Sequence, residues 1–276
     1  MPLFSVIIPT YNHCDTILWA IKSVQEQTVQ DFEIIVAGDG VPDRTRDIMT
    51  KLCAEDTRIR FLDNPKDAGK GETQRHAAVM ASKAEYIAGL GDDDVWQKRH
   101  LEVLATGLED ADFCNTLSSV VLPRRGLVIQ PGNIASQLGK SVLLNMKFNF
   151  IGFTTAGYRK SSYLSLAEQW GPTPKGIWSD LFMWRKWLSQ EHLRFKSLPF
   201  VTSIHIDSPG REDMSIAERA EESKYWLGII RDDDHFAKLE MEALRQVTLD
   251  HGCYKAGMYH FRALYEKLVK LTGQSI

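Results

Sequence analysis

Three short, almost uninterrupted apolar runs dominate the first 115 residues and restrict how the chain can fold. They are Phe4 to Ile8 (FSVII), Phe32 to Ala37 (FEIIVA) and Tyr86 to Leu90 (YIAGL). A strand with one wet face alternates apolar and polar residues. Runs apolar at every position are buried on both faces, as in a parallel sheet covered by helices. The intervening stretches carry apolar residues at helical spacing. Ile17, Leu18, Ile21 and Val24 follow a cap at Asp15 or Thr16. Ile48, Met49 and Leu52 follow Pro42-Asp43, a helix-opening pair. Further elements are a strand at Ile59 to Leu62, a helix from Gly71 to Ser82, a helix from Gln97 to Leu108 and a strand from Asp112 to Asn115. The alternation predicts an α/β fold with a Rossmann-like, mostly parallel central sheet and flanking helices. Right-handed crossovers bring the strands' C-terminal ends to one edge, where ligands of open α/β sheets bind.

The rest of the chain is less regular. Helices are expected at about 135–146 and 179–190, and strands at 154–158 and 193–206. Residues 212–272 read as helical. The expected division is a nucleotide-binding α/β part over 1–115, an acceptor-binding part of the same catalytic domain over 116–211, and a C-terminal helical extension over 212–276. That extension is a candidate surface for homo-oligomers. The cysteines, Cys14, Cys53, Cys114 and Cys253, form no C-x-x-C pair and read as small core residues. The tryptophans at 170, 178, 184 and 187 are assigned to the core by default.

Composition narrows the function. The chain has 33 Lys+Arg against 36 Asp+Glu, a net charge of −3, whereas a duplex binder needs a basic surplus to displace counterions. No nucleic-acid partner is therefore expected. No run approaches the ~18–20 apolar residues that span a bilayer. The N-terminal segment reads as a strand rather than a leader. A cytoplasmic protein is expected.

Polar residues follow three strands directly: Pro9-Thr10-Tyr11-Asn12, Gly38-Asp39-Gly40 and Gly91-Asp92-Asp93-Asp94. All three should converge on the same sheet edge. Adjacent carboxylates behind a buried strand are costly unless a cation or a donor-rich ligand neutralises them. Hard carboxylate oxygens suit Mg²⁺ or Mn²⁺. Asp232-Asp233-Asp234 lacks a preceding strand and reads as an exposed, helix-capping charge run.

In their order and strand context, FSVIIPTYNH, EIIVAGDGVPDRT and YIAGLGDDDVW resemble the inverting family-2 glycosyltransferases with the A-type nucleotide-sugar fold. The usual forms there are SVIIPTYN, a VDDGSTD-like turn and an LDADDxW-like acidic motif. The resemblance covers roughly residues 3–110. It implies that Pro9, Thr10, Tyr11 and Asn12 line a nucleotide pocket. Asp39 would accept the N3–H of uracil or thymine, Asp92 would face the ribose, and Asp93 would bind the metal. Asp94 is a second metal candidate that also orients the motif, with Trp96 packed beneath it. Lys70 and Arg75 are candidates for diphosphate contacts. Gly38 and Gly91 depart from the family, which usually has Asp at both places.

The segment Gly176-Ile177-Trp178-Ser179-Asp180-Leu181 resembles the family's Glu-Asp dipeptide at an acceptor-site helix, with Ser179 in place of the Glu. In register, Asp180 becomes the catalytic base that an inverting transfer requires. His205 is a further metal or phosphate candidate. The remaining histidines receive no role. The reading is a metal-dependent enzyme, using Mn²⁺ or Mg²⁺, that moves a sugar from a UDP- or dTDP-linked donor. The acceptor would be a hydroxyl of a glycan or lipid-linked saccharide, and a lipid-linked acceptor would bring the enzyme to the inner face of a membrane. A nucleotidyltransferase and a non-catalytic nucleotide-sugar-binding protein are the alternatives. A dinucleotide-binding oxidoreductase is disfavoured, because no G-x-G-x-x-G follows the first strand.

Overall fold

The structure is a computed structural model that describes residues 1–122, 126–206 and 208–249. The expected helical continuation over 250–272, and Cys253 within it, lie outside the described residues. The first half runs β1 (Phe4–Thr10), α1 (Ile17–Gln25), β2 (Phe32–Asp39), α2 (Asp43–Glu55), β3 (Ile59–Asn64), α3 (Glu72–Ala81) and β4 (Tyr86–Gly89). Then come β5 (Val95–Trp96), α4 (His100–Leu108), β6 (Phe113–Leu122), β7 (Gly126–Gln130) and α5 (Gln137–Asn145). A single 3-10 turn, Phe153–Thr155, leads into β8 (Ala156–Arg159), α6 (Lys160–Leu164) and α7 (Ser179–Leu188). The described chain ends with β9 (Phe195–Val201), β10 (Ser203–Ile206), α8 (Ile216–Arg231) and a helical stretch over 233–249.

The strand order is β3-β2-β1-β4-β8-β6-β10-β5, with β7 and β9 also paired to β6. β3, β2, β1 and β4 are mutually parallel. The chain moves outward from β1 to β3, then returns across the sheet to β4. The boundary between β1 and β4 is therefore a switch point, with a crevice outside the strands' C-terminal ends. Alternate residues of these strands feed two separate cores, as period-2 geometry requires. Val6, Ile8, Ile34, Val36 and Ala88 pack with α1, α2 and α4. Ile7, Ile35, Ala37 and Ile87 pack on the other face with Ala78 and Val79 of α3 and Trp184 and Trp187 of α7.

Beyond β4 the sheet is mixed. β8 is antiparallel to both β4 and β6, so β6 again runs with the first four strands. β6 continues to Leu122 rather than stopping at Asn115. Its polar Thr116, Ser118 and Ser119 look like a loop in sequence, but neighbouring strands bury all three. Residues 193–206 divide into two strands, β9 and β10. The expected side-chain cap of α1 is absent: Thr16 is itself in helical geometry, and its hydroxyl donates back to the His13 carbonyl at 3.0 Å. The helix expected from Gln97 starts at His100. Trp170, Trp184 and Trp187 are buried, but Trp178 is 48% exposed. Asp232 accepts the His235 N–H at 3.0 Å and so caps the stretch that follows.

Candidate active site

Each strand of the parallel group ends on residues that face the switch-point crevice. Thr10 ends β1 in register with Gly38 of β2. Its buried hydroxyl has no hydrogen-bond partner among the described residues. Tyr11 and Asn12 follow, both exposed, while Pro9 is partly covered. Asp39 ends β2 and is 5% exposed. One carboxylate oxygen accepts the Asp67 N–H at 2.8 Å, and the other takes the Lys66 ammonium. That ammonium also sits 4.8 Å over the Tyr11 ring. Lys66 thus joins the two strand ends, a role the sequence reading did not give it. Lys70, four residues on, is exposed, and its carbonyl accepts from Arg75 at 3.1 Å.

The acidic motif follows β4. Its three carboxylates each meet a different basic side chain. His13 Nδ1 lies 3.0 Å from Asp92 and 4.0 Å from Oδ2 of Asp93. Arg219 of α8 donates to that same Asp93 oxygen at 2.9 Å. Ser223, one helical turn further, donates to the Asp93 carbonyl at 3.1 Å. His205 of β10 lies 3.0 Å from Asp94. Asp94 also accepts the Thr154 hydroxyl and, at 2.9 Å, the Ile206 N–H. Burial alone would raise the Asp94 carboxyl, but the charge of His205 and these hydrogen bonds hold it below its usual range. For His13, burial disfavours the charged ring. The Asp92 hydrogen bond and the Asp92 and Asp93 charges outweigh that effect, so its pKa rises.

Gly91 makes room for this arrangement. A Cβ there would lie 2.6 Å from Oδ2 of Asp94, so a side chain at 91 would displace that carboxylate. Trp96 sits under the motif as expected, 1% exposed, with its indole N–H on the Thr154 carbonyl at 2.9 Å. It stacks on His100 at 4.1 Å, and burial holds His100 neutral with a pKa of about 3.

The second half reaches the same crevice through α7. Asp180 lies in the first turn of α7, whose N-cap is Trp178. Its carboxylate accepts the Leu181 N–H at 2.8 Å and the Asn149 amide at 2.9 Å. Burial raises its pKa, against the Leu181 N–H and the charges of Arg75 and His205. The Arg75 guanidinium faces the rings of Phe153 and Trp170, at 5.1 and 5.0 Å. Burial lowers its guanidinium pKa, while the charges of Glu72, Asp180, Tyr158 and Asp92 oppose that shift. Arg75 and His205 are thus two cations whose fields reach both Asp180 and the acidic motif.

The geometry separates the sequence candidates. His13, Asp92 and Asp93 offer ligand atoms that all lie within 4.8 Å of one another. Asp94 and His205 form a second pair beside that group. His13 directly follows Asn12 in the first motif, so its position was legible in the sequence. Arg219 is 126 residues from Asp93, and no local signal marks it.

Comparison with known proteins identifies the family and agrees with the fold. The family model for glycosyl transferase family 2 matches residues 5–164. A β-1,3-glucosyltransferase of Escherichia coli, WfaP, named for UDP-Glc and a GlcNAc-diphosphoundecaprenol acceptor, is 38% identical over 96 residues. Those residues are 35% of this chain and 37% of that protein. The chondroitin synthase of Pasteurella multocida is 33% identical over 103 residues, 37% of this chain and 10% of the relative. The chain thus spans well under half the length of these curated relatives. Residues 1–349 of S. aureus TarS, solved with UDP-GlcNAc, superpose with a TM-score of 0.61 at 19% identity, covering 89% of this chain and 72% of that one. No helix among the described residues is long and apolar enough to cross a membrane.

Proposed function

This chain belongs to glycosyl transferase family 2, and we propose that it transfers a sugar, with inversion, from a uridine or thymidine diphosphate donor to a hydroxyl of a glycan or lipid-linked saccharide. The observation that carries the reading is a partly buried carboxylate, Asp180, in the first turn of α7, held by the Asn149 amide and the Leu181 N–H, with the charges of Arg75 and His205 acting on it. A general base works best when its pKa lies near the operating pH, and burial moves Asp180 in that direction. Asn149 and the Leu181 N–H fix the carboxylate's orientation. Asp180 takes the acceptor hydroxyl proton as that oxygen attacks the anomeric carbon. The bond to the diphosphate breaks on the opposite face, which inverts the configuration.

Asp39 is acceptor-only when ionised and so suits the ring N–H of uracil or thymine. The Thr10 hydroxyl, without a partner among the described residues, and the exposed Tyr11 ring supply further contacts for the nucleoside, with Pro9 and Asn12 flanking them. The UDP and UDP-GlcNAc complexes of TarS support a nucleotide-sugar donor. Lys70 and Arg75 lie on the diphosphate side.

His13, Asp92 and Asp93 fit a hard divalent cation, because carboxylate oxygens suit Mg²⁺ or Mn²⁺ and an imidazole nitrogen favours Mn²⁺. Such an ion, when bound, supplies charge that stabilises the departing diphosphate. The Asp94–His205 pair supports this site from one side, since a carboxylate fixes the orientation of its histidine. Asp92 also remains the candidate for the ribose. A lipid-linked acceptor would bring the enzyme to the cytoplasmic membrane face.

The test is transfer from a panel of nucleotide sugars with Mn²⁺, read as nucleotide diphosphate release and as product on a saccharide acceptor. Asp180→Asn should lower turnover by ~10²–10⁴ while donor binding, followed by thermal shift, persists. Undiminished turnover in that variant would overturn the assignment. Pyrophosphate release from a nucleoside triphosphate and a sugar phosphate would favour a nucleotidyltransferase instead.

A further inference from the structure

One oxygen of the acidic motif has two basic neighbours. Oδ2 of Asp93 accepts from Arg219 at 2.9 Å and lies 4.0 Å from His13 Nδ1. It therefore belongs both to the His13–Asp92–Asp93 group and to the ion pair with α8. A divalent cation bound in that group would share this oxygen with a permanently charged guanidinium. A guanidinium is a permanent charge. Arg219 also cannot easily withdraw. Its side chain is 11% exposed, and α8 is anchored around it. Ser223 holds the Asp93 carbonyl, the Ser215–Glu218 capping box fixes the helix start, and Leu227 and Ile230 are buried in a cluster with Val95, Ile204 and Ile206.

We propose that Arg219 makes divalent-metal binding conditional on the nucleotide diphosphate, an inference that rests on the metal and donor reading above. Without an anion, the guanidinium both neutralises Asp93 and repels a second cation across a site of low dielectric. A diphosphate brings negative charge that metal and guanidinium can share. Each then binds better in its presence. Arg219 is thus a positioning residue that converts an acidic cluster into a site for a metal–diphosphate pair rather than for a bare ion. Linkage makes the effect reciprocal: whatever factor the diphosphate adds to metal affinity, the metal adds to diphosphate affinity.

The test titrates Mn²⁺ into the full chain by calorimetry, with and without saturating UDP, for the wild type, Arg219→Gln, Arg219→Lys and Ser223→Ala. In the wild type, UDP should raise Mn²⁺ affinity at least tenfold. Arg219→Gln should bind Mn²⁺ alone at least fivefold tighter than the wild type, and the gain from UDP should shrink. Arg219→Lys keeps the charge and should retain the UDP dependence. It also serves as the folded comparison if the Gln variant is unstable, because a Lys variant that loses the UDP dependence contradicts the proposal. Ser223→Ala removes a tether of α8 but no charge and should keep the UDP dependence; if it bound bare Mn²⁺ as tightly as Arg219→Gln, anchoring rather than charge would set the effect and the proposal would fail. If UDP enhances Mn²⁺ binding in the wild type but Arg219→Gln binds bare Mn²⁺ no better, the inference fails and the metal reading stands. If no variant binds Mn²⁺ even with UDP, both fail.

Discussion

Asp94 is the most consequential side chain of the acidic motif for stability, and the structure sets the size of the effect. It is 2% exposed and gathers donors from separate segments: the Thr154 hydroxyl, the Ile206 N–H and His205 Nδ1. Its depressed pKa means these contacts outweigh the cost of burying the charge. In Asp94→Ala the Ile206 N–H, on a residue 1% exposed, would be stranded, at ~1–3 kcal/mol. Loss of hydrogen bonds to an ionised acceptor costs ~1.5–3 kcal/mol more. The total is about 2.5–6 kcal/mol, which brackets the ~3–5 kcal/mol found when one partner of a buried pair is removed. At an unfolding entropy of ~2.1 cal/mol/K per residue, that lowers the melting temperature of a chain of this size by about 4–10 °C. Asp94→Asn keeps an acceptor for Ile206 and should lose only ~1–2 kcal/mol. Asp234 is exposed, and Asp234→Ala should stay within ~0.5 kcal/mol. Urea unfolding at pH 7.5 measures all three. A midpoint shift for Asp94→Ala worth less than ~1 kcal/mol would refute the view that this carboxylate ties the acidic motif to β10 and the 153–155 turn.

Other perturbations test different parts of the molecule. Gly91→Ala would push a Cβ to 2.6 Å from Asp94 Oδ2, costing ~1–3 kcal/mol as overpacking. The double variant Gly91→Ala/Asp94→Ala should therefore be clearly less destabilised than the sum of the two, and full additivity would contradict the contact. His100 has its pKa lowered to about 3, so the folded state resists a proton that the unfolded chain takes up below its usual value of ~6.5. Stability should then fall by about 2 kcal/mol between pH 7 and pH 5 from this residue, a slope that His100→Gln removes in urea melts at the two pH values. Asp56 accepts from Arg58 at 2.8 Å and Gln25 at 3.0 Å, and the Arg58 bond pulls its carboxyl well below the usual range. Its contribution is present above the unfolded value of ~3.9 and is lost as pH falls toward the folded value. Asp56→Ala should cost ~1.5–3 kcal/mol at neutral pH, with the difference from the wild type narrowing in acid.

Much of the fold was legible because burial on both faces leaves a sequence mark. FSVII, FEIIVA and YIAGL are apolar except at Ser5 and Glu33, which are buried and hydrogen-bonded to each other, and the runs form β1, β2 and β4 of the parallel group. β6 was only half visible. Ser118 and Ser119 are polar in sequence but buried within the sheet, Ser119 donating to the Ser203 carbonyl, so hydropathy ends the strand too early. Trp178 was misjudged for the converse reason: its ring is large and apolar, yet it caps α7 at the surface.

The sequence alone determined which residues end the strands. Backbone direction and right-handed crossovers bring Thr10, Asp39 and Asp92 to one edge, and these follow from local pattern. Only the tertiary structure decided how their charges are balanced. Each carboxylate of the acidic triplet takes its basic partner from a different segment: His13 after β1, Arg219 on α8 and His205 on β10. Two of those partners lie more than a hundred residues away. Hydropathy and spacing describe what a residue needs from its neighbours in the chain. Coulomb attraction in a buried crevice depends on distance in space, and that distance exists only once the sheet, α7 and α8 have packed together.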